Sequence, residues 1–280
     1  MDKTVSTAEL EKERGQPRSE ETEIVYQDAL SNPPTERHGW ASRLRSYFIL
    51  APLIWFYTVV LGTVSLIFSV FDRDGSIQHK FARWWSWLVM KTILSPVKVS
   101  GMEAFDNGKP RVFAVTHASA LDIPILYVYL PFQFRIVFKS ELLAYPFVGW
   151  HLKRSGQVCI NQQNPAASIG AVKSALRSLR KGMPLVIFPE GGRTPDGQLQ
   201  PFLPGAFFLA IKAQADIVPI ALVDTFALLP MNTYHIKCQP LEMRAGTPIS
   251  TAGLTVRDTQ AVSDRVKLAI EALHAAPQSR

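Results

Sequence analysis

Between Tyr47 and Phe71 the chain runs for 25 residues without a charged side chain. As a helix rising 1.5 Å per residue, this stretch is about 37 Å long, enough to cross the hydrocarbon core of a bilayer. A fold that contains it must bury the helix on every side or set part of it against lipid. The length without a charge favours lipid over the buried helix of a soluble protein. Trp40, Tyr47, Trp55 and Tyr57 are suited to the membrane–water boundary. Pro52 falls near the start of the run, where a helix tolerates it best. Arg37, Arg43 and Arg45 precede the run, and Arg73, Lys80 and Arg83 follow it. Basic flanks on both sides suit a hairpin or a shallow insertion at least as well as a single span. The segment from Phe81 to Leu94 holds three tryptophans and two cations. That composition fits a helix at head-group level, and the same rings could pack against the first helix.

The N-terminal residues, 1–39, contain nine acidic and five basic side chains, with much Ser, Thr and Pro and no sustained apolar period. They read as a disordered tail. The apolar run lies too far from Met1, and is too long, for a secretory signal. Residues 40–280 carry 14 acidic and 25 basic residues, a net charge of +11. A basic body suits phospholipid head groups, nucleotide phosphates or nucleic acid, or simply solubility. With 47% apolar and 19% charged residues, the chain can build a large core. Cys159 and Cys238 have no metal-ligand spacing and stand in apolar, strand-like surroundings. They read as reduced core thiols, consistent with a cytosolic catalytic domain.

Beyond Val97 short apolar runs alternate with helical patterns. Residues 97–99, 112–115, 136–138, 158–160, 185–188 and 217–222 have strand character. Ile169, Val172, Leu176 and Leu179 recur at helical spacing before Gly182, a helix stop. Residues 206–215 and 257–275 also read as helices. The alternation implies an α/β fold, a mostly parallel sheet flanked by helices, with an N-terminal membrane-associated helical segment. The expected division is a tail over 1–39, membrane-associated helices over 40–95 and a catalytic domain over 96–280.

Two strings carry chemistry. His117-Ala-Ser-Ala-Leu-Asp122 follows a strand, where open α/β sheets place their sites. A carboxylate on Nδ1 of an imidazole fixes its tautomer and leaves Nε2 to accept a proton near neutral pH. If the chain turns into a helix at Ser119, Asp122 can fold back to serve in that way. No Gly-x-Ser-x-Gly elbow surrounds Ser119, so the hydroxyl to be activated belongs to the substrate. Alone, this spacing equally fits a loop histidine and a capping aspartate. The second string is Phe188-Pro-Glu-Gly-Gly-Arg-Thr194. Gly191 and Gly192 let backbone N–H groups approach an oxyanion, and Arg193 can grip a phosphate bidentately. Glu190 would orient a substrate hydroxyl or fix Arg193. A plain Gly-Gly turn is the bland alternative.

Taken together and in this order, the two strings resemble the glycerolipid acyltransferase family typified by 1-acyl-sn-glycerol-3-phosphate acyltransferase. Lys139-Ser-Glu-Leu142, Pro146, Gly149-Trp150 and Val218-Pro-Ile-Ala-Leu222 are similar to its other blocks, so the resemblance covers roughly residues 95–250. It implies a membrane-bound O-acyltransferase with its catalytic domain on the cytoplasmic side. The donor would be acyl-CoA or acyl carrier protein and the acceptor a lysophospholipid, 1-acylglycerol-3-phosphate before others. His117 would be the general base and Asp122 its orienter. Glu190, Gly191, Gly192, Arg193 and Thr194 would hold the phosphate-bearing acceptor, with Lys139 a second cation. No metal, bound cofactor or nucleic acid is implied. Three positions depart from the family. Thr116 stands where Asn is usual, and Cys159-Ile-Asn-Gln162 where Phe-Ile-Asp-Arg is usual. Pro204 stands where Lys is common. Arg154, near the second of these in sequence, is a candidate substitute for the missing arginine. The alternatives are an acyltransferase for another lysolipid or a non-glycerolipid acceptor, and a non-catalytic lipid-binding membrane protein.

Overall fold

The computed structural model describes residues 40–102, 111–161, 164–231 and 233–277. The tail expected over residues 1–39, and Gln162, lie outside them. The charge-free run forms the middle and end of one long helix, α1 (Trp40–Phe71). Pro52 therefore lies well inside a helix, not near its start. The turn just before it, Ser46–Leu50, is widened so that the N–H of Ala51 bonds to the carbonyl of Ser46. Such a turn relieves the clash and the lost bond that proline imposes. Helix α1 is long and apolar enough to cross a membrane, yet only 11% of its most apolar stretch is buried within the protein. Trp40, Tyr47 and Trp55 are all exposed.

Helix α2 (Ser76–Ile93) lies against α1. The indole N–H of Trp85 donates to Thr58 at 3.0 Å, while Trp84 and Trp87 face outward. Ser65 and Gln78 exchange two hydrogen bonds of 2.7 Å between the helices. One of the two cations expected at head-group level is used internally. The Arg83 guanidinium donates to the carbonyls of Tyr127 and Leu130. There it closes the end of α3 (Asp122–Tyr129), where a helix has carbonyls to spare.

Seven strands form one sheet: β1 (Val97–Ser100), β2 (Arg111–Val115), β3 (Arg135–Lys139), β4 (Val158–Ile160), β5 (Leu185–Ile187), β6 (Asp216–Val223) and β7 (Leu241–Ala245). Their order is β1-β7-β6-β2-β5-β3-β4, and only the β6–β7 pairing is antiparallel. Six of these strands match the expected runs, and β7 was not anticipated. The longer of the remaining helices are α4 (Val148–Arg154), α5 (Ile169–Arg180), α6 (Phe208–Ala213) and α7 (Thr259–Ala275), and a single helical turn, Thr225–Leu228, follows β6.

Alternation along each strand divides the core in two. Val112 and Ala114 face α5, α6 and α7, and Phe113 and Val115 face α2 and α3. Val89, Met90 and Ile93 of α2 share the second core with Leu50 of α1. The segment 40–95 is thus built into the body of the fold. Strand β2 is buried over its whole length, as a central strand of a covered parallel sheet must be. It pairs with β5 through Val112–Leu185, Phe113–Val186 and Ala114–Ile187, so the two motif strings leave adjacent strands at the same edge. Cys159 is half-buried in the edge strand β4, but Cys238 is exposed in a loop. The latter is not a core residue, because its apolar surroundings in sequence do not form a strand there.

Candidate active site

The loop after β2 builds itself around one carboxylate. Asp122 is fully buried, and its Oδ2 accepts three donors at 2.8 Å: Nδ1–H of His117 and the backbone N–H groups of Ala118 and Ser119. Helix α3 begins at Asp122 itself, three residues later than expected. The fold-back comes from the turn at Ser119, whose carbonyl accepts the N–H of Asp122. The helix N-terminus adds a favourable field for the buried charge. A carboxylate only accepts, so the proton lies on Nδ1 and the lone pair on Nε2. Nε2 makes no hydrogen bond among the described residues, and the His117 side chain keeps 17% of its surface open. Ser119 is buried and donates to the carbonyl of Leu229, so its hydroxyl is not presented to a substrate.

The second string is joined to the first at three points. Phe188 stacks on the His117 ring, with centroids 4.1 Å apart and planes 24° from parallel. Glu190 Oε1 accepts the backbone N–H of His117 at 2.8 Å, and Thr194 N–H donates to the carbonyl of His117 at 2.9 Å. The second Glu190 oxygen accepts the N–H of Gln200 at 3.0 Å. With only 2% of its surface exposed, Glu190 is a cross-brace between loops. The sequence reading pairs Glu190 with a substrate hydroxyl or with Arg193, and the oxygens instead accept main-chain N–H groups of His117 and Gln200.

The turn itself is closed by Gly191 N–H to the carbonyl of Phe188, with Gly191 at φ +70°, where a side chain would be strained. Gly192 and Arg193 are half-buried. Arg193 makes no hydrogen bond or ion pair among the described residues. Thr194 turns its hydroxyl into the loop, donating to Asp196 at 2.7 Å and accepting from Gly197 and Gln200. Gln200, buried and unmarked in the sequence, is the hub of this loop. Its side-chain amide also reaches Asp196 and the carbonyl of Gln198. Lys139 ends β3, which pairs with β5, so it stands at the same edge as the glycine turn. Thr116 accepts the N–H of Leu222 with its hydroxyl, tying β2 to β6 behind the histidine. Asn161 uses its side-chain oxygen to accept the N–H of Asn164.

Arg154 is not brought to this site. It ends α4 and borders the opposite edge of the sheet, near the first residues of β2 and β3. Strand β4 runs between it and Asn161, so seven positions in sequence become two ends of a strand. His79 and His151 serve packing. His79 lies between Tyr127 and Phe134, with ring centroids 5.1 and 5.0 Å away, and burial pushes its pKa down to about 4. His151 bonds to the Ser65 hydroxyl at 3.0 Å, and burial likewise pushes it down to about 4.

The model of the family described as "Acyltransferase" matches residues 96–223. A chloroplastic 1-acyl-sn-glycerol-3-phosphate acyltransferase of Arabidopsis thaliana is 29% identical over 70% of this chain and 56% of its own length. One from Limnanthes douglasii is 32% identical, over 62% of this chain and 60% of its own length. The chain thus spans somewhat over half the length of these curated relatives. The crystal structure of a 1-acyl-sn-glycerophosphate acyltransferase from Thermotoga maritima superposes with a TM-score of 0.65 at 23% identity, covering 85% of this chain and 97% of that one. That likeness establishes the fold.

Proposed function

We propose that this chain, whose residues 96–223 match the model of the acyltransferase family, moves a fatty acyl group from a thioester to the free hydroxyl of a lysophospholipid, with 1-acylglycerol-3-phosphate as the acceptor. The observation that carries the reading is the buried Asp122 holding Nδ1–H of His117, while Nε2 and Arg193 of the neighbouring glycine turn are unpartnered among the described residues. His117 Nε2 takes the proton of the acceptor hydroxyl as its oxygen attacks the thioester carbonyl. The tetrahedral intermediate then expels the thiolate, which recovers the proton from the imidazolium. Asp122 stays ionised throughout and stabilises the imidazolium. The acceptor's phosphate lies against Arg193, Lys139 and the N–H group of Gly192, while the N–H of Gly191 is spent on closing the turn. Glu190 and Thr194 act one step back, by holding the turn in place.

The donor is acyl-CoA or acyl carrier protein, both soluble in the cytoplasm, and the catalytic domain faces that side. The free thiols of Cys159 and Cys238 support this assignment. The exposed apolar length of α1 supports a seat in the membrane. A second acceptor class has one observation in its favour. Asn161 spends its side-chain oxygen on a local turn where the family usually has Asp followed by a phosphate-linked Arg. The test is acyl-CoA-dependent product formation in detergent, comparing lysophosphatidic acid with other lysolipids, for the wild type and His117→Ala. Product from lysophosphatidic acid, lost in the variant, is expected. Product from another lysolipid alone would move the assignment to that acceptor. Transfer unaffected by the substitution would overturn the mechanism.

A further inference from the structure

At the amino-terminal ends of the strands, opposite His117, the surface sinks into a depression of about 880 Å³. Five cations from five separate segments border it: Arg73 after α1, Arg111 opening β2, Arg135 opening β3, Arg154 ending α4 and Lys181 after α5. Like charges repel, so their convergence raises the energy of the empty surface and favours an anion. Two carboxylates, Asp72 and Asp74, share the rim and offset part of this charge, so that five cations less two acids leave a net +3, and each carboxylate also accepts a main-chain N–H in the first turn of α2. Asp72 accepts the N–H of Gln78 at 2.7 Å, and Asp74 that of Ser76 at 3.1 Å. Arg135 is held by the carbonyls of Ser155 and Asp74. Arg73, Arg154 and Lys181 make no side-chain hydrogen bond or ion pair among the described residues.

The surroundings indicate the kind of anion. Stacked rings of Phe113 and Phe132, 5.2 Å apart, border the depression. Arg73 stands two residues beyond Phe71, and the exposed Ile67, Phe68, Val70 and Phe71 line the end of α1. Phosphate-binding cations next to an uncovered apolar surface match the polarity of a phospholipid, charged at the head and apolar below it. We propose that this depression is a second anion site, which takes the phosphate of an anionic phospholipid head group. It is separate from the catalytic edge. Arg111 and Val115 stand four residues apart along β2, about 13 Å in a strand, with His117 beyond.

The full chain in zwitterionic detergent micelles is titrated by calorimetry with short-chain phosphatidylglycerol, with the matching phosphatidylcholine and with inorganic phosphate. The wild type should bind phosphatidylglycerol and not phosphatidylcholine. The exposed pair Arg154→Gln/Lys181→Gln should weaken that binding roughly tenfold or more, the loss expected for two cations at an anionic head group. The swap Arg154→Lys/Lys181→Arg should keep it. Binding of inorganic phosphate as tightly as phosphatidylglycerol would assign the same site to a soluble phosphate. Arg257→Gln/Arg265→Gln removes equal charge from residues that do not border the depression. If that pair, or Arg193→Gln at the catalytic turn, removes the binding instead, the proposal is overturned. His117→Ala should leave the binding unchanged, so the site stands or falls independently of the catalytic reading.

Discussion

The two edges of the sheet handle charge in opposite ways. At the carboxyl edge the buried groups are acids, Asp122 and Glu190, and backbone N–H groups fix each of them. At the amino edge the clustered groups are cations, and three of them reach solvent unpartnered among the described residues. Buried acids bonded to the main chain give a rigid frame, beside which Arg193 is unpartnered among the described residues. Loosely held cations give a field with no fixed geometry. The first arrangement suits a proton transfer that requires atoms in register, and the second suits an anion that needs only to be attracted.

The contrast is most severely tested at Asp122. Asp122→Asn removes the acceptor that sets the tautomer, and kcat should fall by roughly 10²–10⁴-fold. Single-turnover acyl transfer measures it, and an unchanged rate would show that the carboxylate is only a loop brace. Next in size is Glu190→Gln, which turns an amide N–H₂ towards the main-chain N–H of His117 or of Gln200. Denaturant unfolding should show a loss of about 1–3 kcal/mol, accompanied by a fall in kcat. Arg193→Gln should instead raise the acceptor KM and leave stability unchanged. Equal behaviour of the two variants would erase the distinction between frame and contact.

Acid probes a third region, the seam between α1, α2 and α4. His79 and His151 are held at about 4 by burial, below the ordinary imidazole value of about 6.5. Between these values the unfolded chain binds protons that the folded chain refuses. Stability should therefore fall as the pH drops from about 6.5 to about 4, by roughly 2–3 kcal/mol for each histidine across the window. Denaturant titrations at the two ends of the range measure it, and a His151→Asn variant should show a shallower slope. The smallest effect is expected at Gln200→Leu. It loses the side-chain bonds to Thr194 and Asp196 but keeps the main-chain bond to Glu190. About 1 kcal/mol and a few-fold rise in acceptor KM are expected, read from melting and steady-state kinetics.

The legibility of these features in the sequence followed their physics. Apolar runs announce buried strands, and alternation announces the half-exposed β1, so six of the seven strands could be read. Strand β7 could not, because Glu242 and Arg244 interrupt it. In the fold these two pair at 2.7 Å, and Arg244 also bonds to the carbonyls of Leu273 and Ala276 at the end of α7. Helix α4 is seven residues long, too short to show a period. His117 and Asp122 were legible because the contact is local. The brace from Glu190 to His117 spans 73 positions, and no pattern along the chain encodes it. Arg154 misled for the converse reason, since nearness in sequence across a strand is distance in space.

One consequence follows from the atom that Glu190 holds. The donor is the amide of residue 117, not its imidazole, so any residue but proline at that position can make the same bond. A variant without the base should therefore keep its glycine turn, its Arg193 and its folded loops. Such a protein would bind both substrates and turn over neither, and could capture the intact acceptor for crystallography or mass spectrometry.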